Sequence, residues 1–327
     1  MIHPILIAAF LIATCLTPAG AQTRELTLGV DQPPKQGNAQ AAQAAINKVT
    51  ELSQGKINIT LHHSAQLGNE RQVVQAMRMG TVDLSVVSAA PLTTVIPELS
   101  ALTLPYLFRD YQHVYKAMDE GDFVRNYFRP QFERRGYVML GLVAGGYRGI
   151  YGQFAINSMA DAKGRKIRTM EDKIILATFK ALGMIPTAIP QPEVPTSFQT
   201  GVINFAEGGI NTYYHLKYYD VAKNVADVRH IHLILPFTMS KMSWDKLDAT
   251  SQQILVDGVK AGEKFNRQFI LDEDKQIQQL IKDKGVNITK PDPTPFRDAT
   301  KSVYDEFFAT PAGKDAKKVV DYIIGVK

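Results

Sequence analysis

The sequence predicts an α/β protein built as two similar lobes, and three observations carry that expectation. The first is a β-α-β-α-β run near the start, where short strand-like segments alternate with stretches of helical spacing. The second is the return of the same grammar after residue 164. Its closest local echo is RMGTVDLSVV against QTGVINFAEG, each a helix end, a glycine and a strand with Asp83 or Asn204 near its start. The third is length: without its first 21 residues the chain keeps about 306, which suits two domains of about 150 each.

RELTLGV (24–30) alternates apolar and polar residues and reads as a strand. AQAAQAAINKVTELSQG (39–55) carries apolar residues at helical spacing and ends at Gly55, which suits the left-handed residue that closes a helix. KINITLHH is a second strand, NERQVVQAMRMG a second helix ending at Gly80, and VDLSVVSA a third strand. In the second half, RKIRT reads as a strand and EDKIILATFKALG as a helix closed by Gly183. MIPTAIP is extended, EVPTSFQTG is a short helix closed by Gly201, and VINFAEG is a strand. Residues 251–285 form one long helical stretch expected to run along both lobes, and residues 295–326 read as two more helices. No long linker divides the lobes, so several strands are expected to cross between them.

The first 21 residues read as an export signal: an apolar run ending in small residues at Ala19, Gly20 and Ala21, with cleavage expected after Ala21. That run is shorter than the roughly 20 apolar residues a bilayer span needs. Cys15 raises a lipoprotein reading, but Thr14 before it is a poor lipobox residue. Removal of the signal leaves no cysteine, so thiol chemistry and disulfides are excluded from the mature chain. The 37 basic and 32 acidic side chains are interspersed, with no basic tract interleaved with aromatics, which argues against a nucleic-acid partner.

Catalytic and cofactor motifs are absent: there is no G-x-S-x-G, no phosphate-binding G-x-x-x-x-G-K-[ST] and no dinucleotide G-x-G-x-x-G after a strand. His62 and His63 are adjacent, so on a strand they point to opposite faces. His230 and His232 would share a face, but they form no helical H-x-x-x-H motif with a carboxylate partner, which favours structural histidines over a zinc site. No metal or other cofactor is therefore expected. What remains is a pair of arginines. Arg148 sits in GGYRGIYG, where Gly145, Gly146 and Gly149 remove bulk and allow close approach. Arg168 lies in GRKIRTM, where strand alternation gives it the face of Lys166, opposite Arg165 and Ile167. Two guanidiniums converging on a cleft would bind a carboxylate, because the planar fork matches its two oxygens. The alternative is an internal ion pair of Arg168 with Glu207 or Glu193.

A series of short segments runs in order along the chain: residues 51–88, PELSALTLPYLFRD at 97–110, GYRG at 146–149 and INSMADAKGRKIRT at 156–169. It continues with residues 181–203, KYYDVAKNV at 217–225 and SKMSWDKL at 240–247. In these segments the chain resembles the solute receptors of tripartite ATP-independent periplasmic (TRAP) transporters, the DctP-like receptors. This resemblance implies a type II periplasmic-binding-protein clamshell with crossing hinge strands and a long helix spanning both lobes. The first lobe would hold residues 22–145 and about 234–273, the second 146–233 and about 274–327. It implies a periplasmic, monomeric receptor that is not an enzyme and that delivers a small organic acid to the small and large TRAP membrane subunits. A receptor feeding a sensor and a periplasmic hydroxy-acid lyase are the alternatives.

By the same resemblance Arg168 anchors the ligand carboxylate and Arg148 assists, while Asp31, Glu70, Ser88, Glu171 and Gln191 fall at pocket positions. The family pattern G-V-V-D-G-Q-E-N-P is here Gly201-Val-Ile-Asn-Phe-Ala-Glu207-Gly208-Gly209, so Gly208 stands where an asparagine completes the carboxylate site. Asn211 or Thr212 is expected to supply the missing polar contact. Ser88 stands where sialic acid receptors carry glutamate, which argues against that ligand. Tyr147, Tyr213 and Tyr214 are expected to pack rather than to contact the ligand.

Overall fold

The computed structural model describes residues 23–327; the export signal, its cleavage after Ala21 and Cys15 lie outside the described residues. Nine strands form one sheet: β1 (Arg24–Gly29), β2 (Ile57–His62), β3 (Leu84–Val86), β4 (Tyr137–Gly152), β5 (Lys166–Thr169), β6 (Ile185–Ala188), β7 (Phe205–Gly209), β8 (Asn224–Ser240) and β9 (Asn287–Thr289). Their order is β2-β1-β3-β8-β4-β7-β5-β6, with β9 beside β8. The pairs β1–β2, β1–β3, β5–β6 and β5–β7 are parallel, as the helical crossovers between them require.

Two long antiparallel strands, β4 and β8, make the sheet two-lobed. The end of β8 pairs with β3 and with the start of β4, whereas the start of β8 pairs with the end of β4, which in turn pairs with β7. Between these halves the β4–β8 register shifts three times, at Met139/Gly141, Ala144/Tyr147 and Arg148/Ile150. Such bulges bend a strand and re-aim its side chains. Before β7 joins its other edge at Arg148, β4 gives backbone donors to the long helix Ala249–Lys282: Ala144 N–H donates to Asn266 Oδ1 at 3.0 Å, and Leu142 N–H donates to Glu263. Arg148 lies a few residues further along β4, at the third of these shifts.

The long helix lies against the helix Gly37–Ser53 at very short range. A Cβ added at Gly258 would stand 2.3 Å from Val49 Cγ2, and one at Gly262 2.6 Å from the Ala41 carbonyl oxygen. Two glycines four residues apart share one helix face, so the contact itself explains them.

The helix–glycine–strand echo of the two lobes has a common structural role. Asp83 Oδ2 accepts the backbone N–H of Thr27 at 2.7 Å, and Asn204 Oδ1 accepts that of Lys166 at 3.2 Å. Each short polar side chain thus ties the start of its strand to the neighbouring parallel strand.

The C-terminal region departs from expectation twice. It forms three helices rather than two, Pro293–Ala299, Lys301–Ala309 and Pro311–Gly325. Thr310 accepts the Gly313 N–H and Pro311 starts the last helix, the usual N-cap and first-turn arrangement. The apolar stripe of the last two, including Val303, Phe307, Val319 and Ile323, packs in one core cluster with Leu99, Leu102 and Phe128, whereas Phe296 of the first packs with Ile167 and Phe179. Residues 301–325 therefore sit with the core of the first lobe, whereas the sequence assigned 274–327 to the second.

Candidate functional site

The cleft between the lobes is lined from both sides. Gln32, Gln36, Asn38, Glu70 and Ser88 come from the first lobe, and Arg148, Tyr151, Arg168, Gln191, Gly208, Asn211 and Thr212 from the second. The space, counted with its mouth, is about 530 Å³. An adjoining outer chamber shares Glu70, Arg168, Met170 and Gln191 and adds Asp31, Arg71 and Glu171. The lobes touch across it: Gln32 Nε2 donates to Gln191 Oε1 at 2.8 Å, Thr212 Oγ1 donates to Gln36 Oε1 at 3.3 Å, and Arg71 lies 3.5 Å from Glu171. The arrangement is a closed cleft.

The two arginines have different partners. Arg148, 4% exposed, donates through Nε to Glu207 Oε2 at 2.6 Å and through Nη2 to the Glu207 carbonyl. Glu207 is fully buried, and its other oxygen accepts the Met170 N–H at 3.0 Å. Burial alone would raise its carboxyl, but the Arg148 charge, helped by His230 nearby, outweighs burial and holds Glu207 well below the usual carboxylate range. Arg168, 6% exposed, donates only to carbonyls, Nε to Ile189 at 2.7 Å and Nη1 to Glu207 at 3.3 Å. Among the described residues no carboxylate lies within ion-pair distance of it. The internal pair weighed for Arg168 with Glu207 is thus made by Arg148 instead, because β4–β7 pairing puts Arg148 opposite Gly209, beside Glu207.

The first lobe brings carboxylates to the same cleft. Glu70 opens the helix Glu70–Met79, and its oxygens accept the Ser88 N–H at 2.7 Å and the Ser88 hydroxyl at 2.6 Å. Burial raises the Glu70 carboxyl despite those bonds. Asp31 follows β1, and its Oδ1 is buried without a hydrogen-bond partner among the described residues. Burial and then the Glu70 charge push Asp31 well above the usual carboxylate range, against the pull of Arg168.

Of the residues singled out in the sequence, Arg168, Arg148, Gly208, Asn211, Ser88, Glu70 and Gln191 line the inner cavity, and Asp31 and Glu171 the outer chamber. Glu207 lies behind the cavity wall as the partner of Arg148. The polar atoms of Asn211 are already spent: Nδ2 donates to Glu273 at 3.0 Å and to the Gly145 carbonyl, and Oδ1 accepts the Thr212 N–H. Asn211 is therefore not the free donor expected to stand in at Gly208. That space belongs to an aromatic residue the sequence did not single out, since a Cβ at Gly208 would lie 2.9 Å from the Tyr151 hydroxyl. Gln36 was also missed; it is buried, lines the cavity, and its Nε2 has no partner among the described residues. Tyr147, Tyr213 and Tyr214 do not line the cavity. His230 packs edge-on against Phe179 and His232 against Tyr111. Among the described residues no group of three metal-binding side chains converges, and no helix is long and apolar enough to cross a membrane.

Comparison with known proteins agrees with this geometry. The chain is 30% identical to the sialic acid-binding periplasmic protein of Vibrio cholerae, over 82% of this chain and 83% of that protein. It is 28% identical to the 2,3-diketo-L-gulonate-binding periplasmic protein of Escherichia coli, over 86% and 87%. Among solved structures, a TRAP periplasmic solute-binding protein from Polaromonas bound to D-erythronate superposes with a TM-score of 0.88 at 26% identity, covering 93% of this chain and 99% of that one. The family model for bacterial extracellular solute-binding proteins, family 7, matches residues 29–310, and the chain belongs to that DctP family.

Proposed function

We propose that this receptor closes on a hydroxylated monocarboxylic acid, of the sugar-acid class, and hands it to the membrane subunits of a TRAP transporter. The observation that carries the reading is the asymmetry of the cleft. The second lobe offers a buried guanidinium, Arg168, with no carboxylate partner among the described residues, while the first lobe faces it with Glu70 and Asp31. A ligand anionic at one end suits Arg168, since charge-assisted bonds gain strength where water is excluded. Hydroxyl groups at its other end would donate to Glu70 and Asp31, whereas a second carboxylate would meet like charge. Sialic acid remains disfavoured, because Ser88 is engaged with Glu70 and adds no charge of its own.

Related receptors support the class: the Polaromonas protein was found with D-erythronate, and a TRAP periplasmic solute-binding protein from Bradyrhizobium, 26% identical with a TM-score of 0.86, with D-galacturonate. In the proposed cycle, the open protein takes the acid on Arg168, the lobes close through the Gln32–Gln191 and Gln36–Thr212 contacts, and the ligand leaves unchanged. The signal-bearing chain would work in the periplasm as a monomer. The test is calorimetric titration with D-galacturonate, D-glucuronate, D-erythronate, succinate and sialic acid. The reading expects micromolar binding of at least one sugar acid, with succinate and sialic acid weaker by tenfold or more. A preference for succinate, or turnover of a bound acid, would overturn it.

A further inference from the structure

Three tyrosines, Tyr151, Tyr213 and Tyr218, pack together behind the cleft, with ring centroids 5.0 Å apart for Tyr151–Tyr213 and 5.6 Å for Tyr151–Tyr218. Two of their hydroxyls are spent on the protein: Tyr213 donates to the Ala222 carbonyl at 2.6 Å and Tyr218 to the Gln191 carbonyl at 3.0 Å. The third is not. Tyr151 is 1% exposed, its ring is held by these neighbours and by Phe198, yet its hydroxyl makes no hydrogen bond among the described residues and borders the cavity that Arg148 and Arg168 line. A phenylalanine would fill the same core, so packing accounts for the ring and leaves the hydroxyl without a role. Buried polar groups are kept where they find partners.

The backbone beneath makes room for that hydroxyl. On the neighbouring strand, Gly208 is the residue whose Cβ would stand 2.9 Å from the Tyr151 oxygen and 3.1 Å from Cε1. Gly149, directly opposite Gly208 across the β4–β7 pair, gives its space instead to Ile210, whose Cδ1 would lie 2.8 Å from an added Cβ. A glycine at 208 is thus the counterpart of a tyrosine at 151.

We propose that the Tyr151 hydroxyl is a specificity-determining donor that binds the anionic end of the ligand beside Arg168. This rests on the receptor reading above. The ring is fixed by its packing, so the hydroxyl presents one direction to the ligand and limits how far the acid group reaches over β7. Burial pushes the phenol well above its usual range, so it stays protonated and donates throughout the pH range in which the ligand is an anion.

The experiment removes one oxygen. Wild type, Tyr151→Phe, Gly208→Ala and the double variant are titrated with D-galacturonate and D-erythronate, and with the methyl ester of D-galacturonate as the uncharged control. Tyr151→Phe is expected to weaken both acids about tenfold, about 1.4 kcal/mol, to leave the ester unchanged, and to keep the melting temperature of the ligand-free protein. Gly208→Ala is expected to weaken the acids by crowding the hydroxyl, with a smaller effect once Tyr151 is already phenylalanine. If wild type binds the acids and Tyr151→Phe binds them equally well, or loses acid and ester alike, the role of the hydroxyl is refuted while the receptor reading stands. If wild type binds neither acid, the receptor reading fails and this inference fails with it.

Discussion

Glu207→Gln removes one charge and almost no volume at the point where the second lobe holds its most buried ion pair. In the native protein Glu207 is fully buried, with one oxygen 2.6 Å from Arg148 Nε and the other accepting the Met170 N–H at 3.0 Å. An amide offers only one oxygen, so one of those two donors must then face an NH₂ group. The larger effect is electrostatic, because Arg148 is left buried without its counter-ion. Breaking a buried pair from one side costs about 3–5 kcal/mol. A loss of 1 kcal/mol shifts the melting temperature by about 2–4 °C for 150–250 residues, and less for longer chains. At about 2 °C per kcal/mol, the expected fall is about 6–10 °C, read by differential scanning calorimetry of the ligand-free protein at pH 7.

The pH dependence has a definite sign. Because the folded Glu207 is held below its ordinary range, its stabilisation is fully present above the unfolded-state value of about 4.3 and is lost as pH falls below it. The variant should therefore melt with a flatter acid limb than wild type. A melting temperature within about 2 °C of wild type at pH 7, on the same scale of about 2 °C per kcal/mol, would show that the Arg148–Glu207 pair does not hold the lobe together.

Two further predictions concern the cleft as a whole. Asp31 and Glu70 carry raised carboxyls for reasons of burial, and an anionic ligand adds negative charge beside them, so binding should draw in protons. Affinity for D-galacturonate is expected to fall as pH rises from about 5 to 8, above the ordinary carboxylate values of about 4, and Asp31→Asn should flatten that profile; a flat wild-type profile would contradict the coupling. Closure should depend on the cross-cleft contacts, so small-angle scattering is expected to show a smaller radius of gyration with ligand in wild type. Gln191→Ala, which removes the 2.8 Å bond to Gln32, should require more ligand to reach that radius, and an unchanged radius in both proteins would exclude ligand-driven closure.

Much of the architecture was legible because its elements keep their periods. β1, β2 and the helix Glu70–Met79 alternate or repeat apolar residues at the spacing their burial requires, and the capping box at Asn69 with Gln72 marks where that helix starts. The hinge strands were not legible in this way. β4 and β8 are buried along nearly their whole length, which erases the inside–outside alternation that identifies a strand.

The site divides along the same line. Arg168 is visible as the innermost cation of a short strand, and its environment is set largely by that strand and the segment after β6. The role of Arg148 depends on Glu207, 59 residues away and brought beside it by antiparallel pairing that sequence spacing does not reveal. Asn211 looked available because its partner Glu273 lies on the long helix, 62 residues on. Tyr151 gave no local signal, since only the packing over Gly208 distinguishes it from the other tyrosines of the cluster.

The central claim is that a buried guanidinium with no carboxylate partner is the ligand's anchor, and calorimetric titration of Arg168→Ala and Arg168→Lys against the tightest-binding sugar acid tests it most directly. The account predicts that Arg168→Ala loses at least tenfold in affinity, about 1.4 kcal/mol, while remaining folded. Arg168→Lys should also bind poorly, because a point charge does not reproduce the two-pronged fork. Wild-type affinity in a folded Arg168→Ala protein would contradict the account.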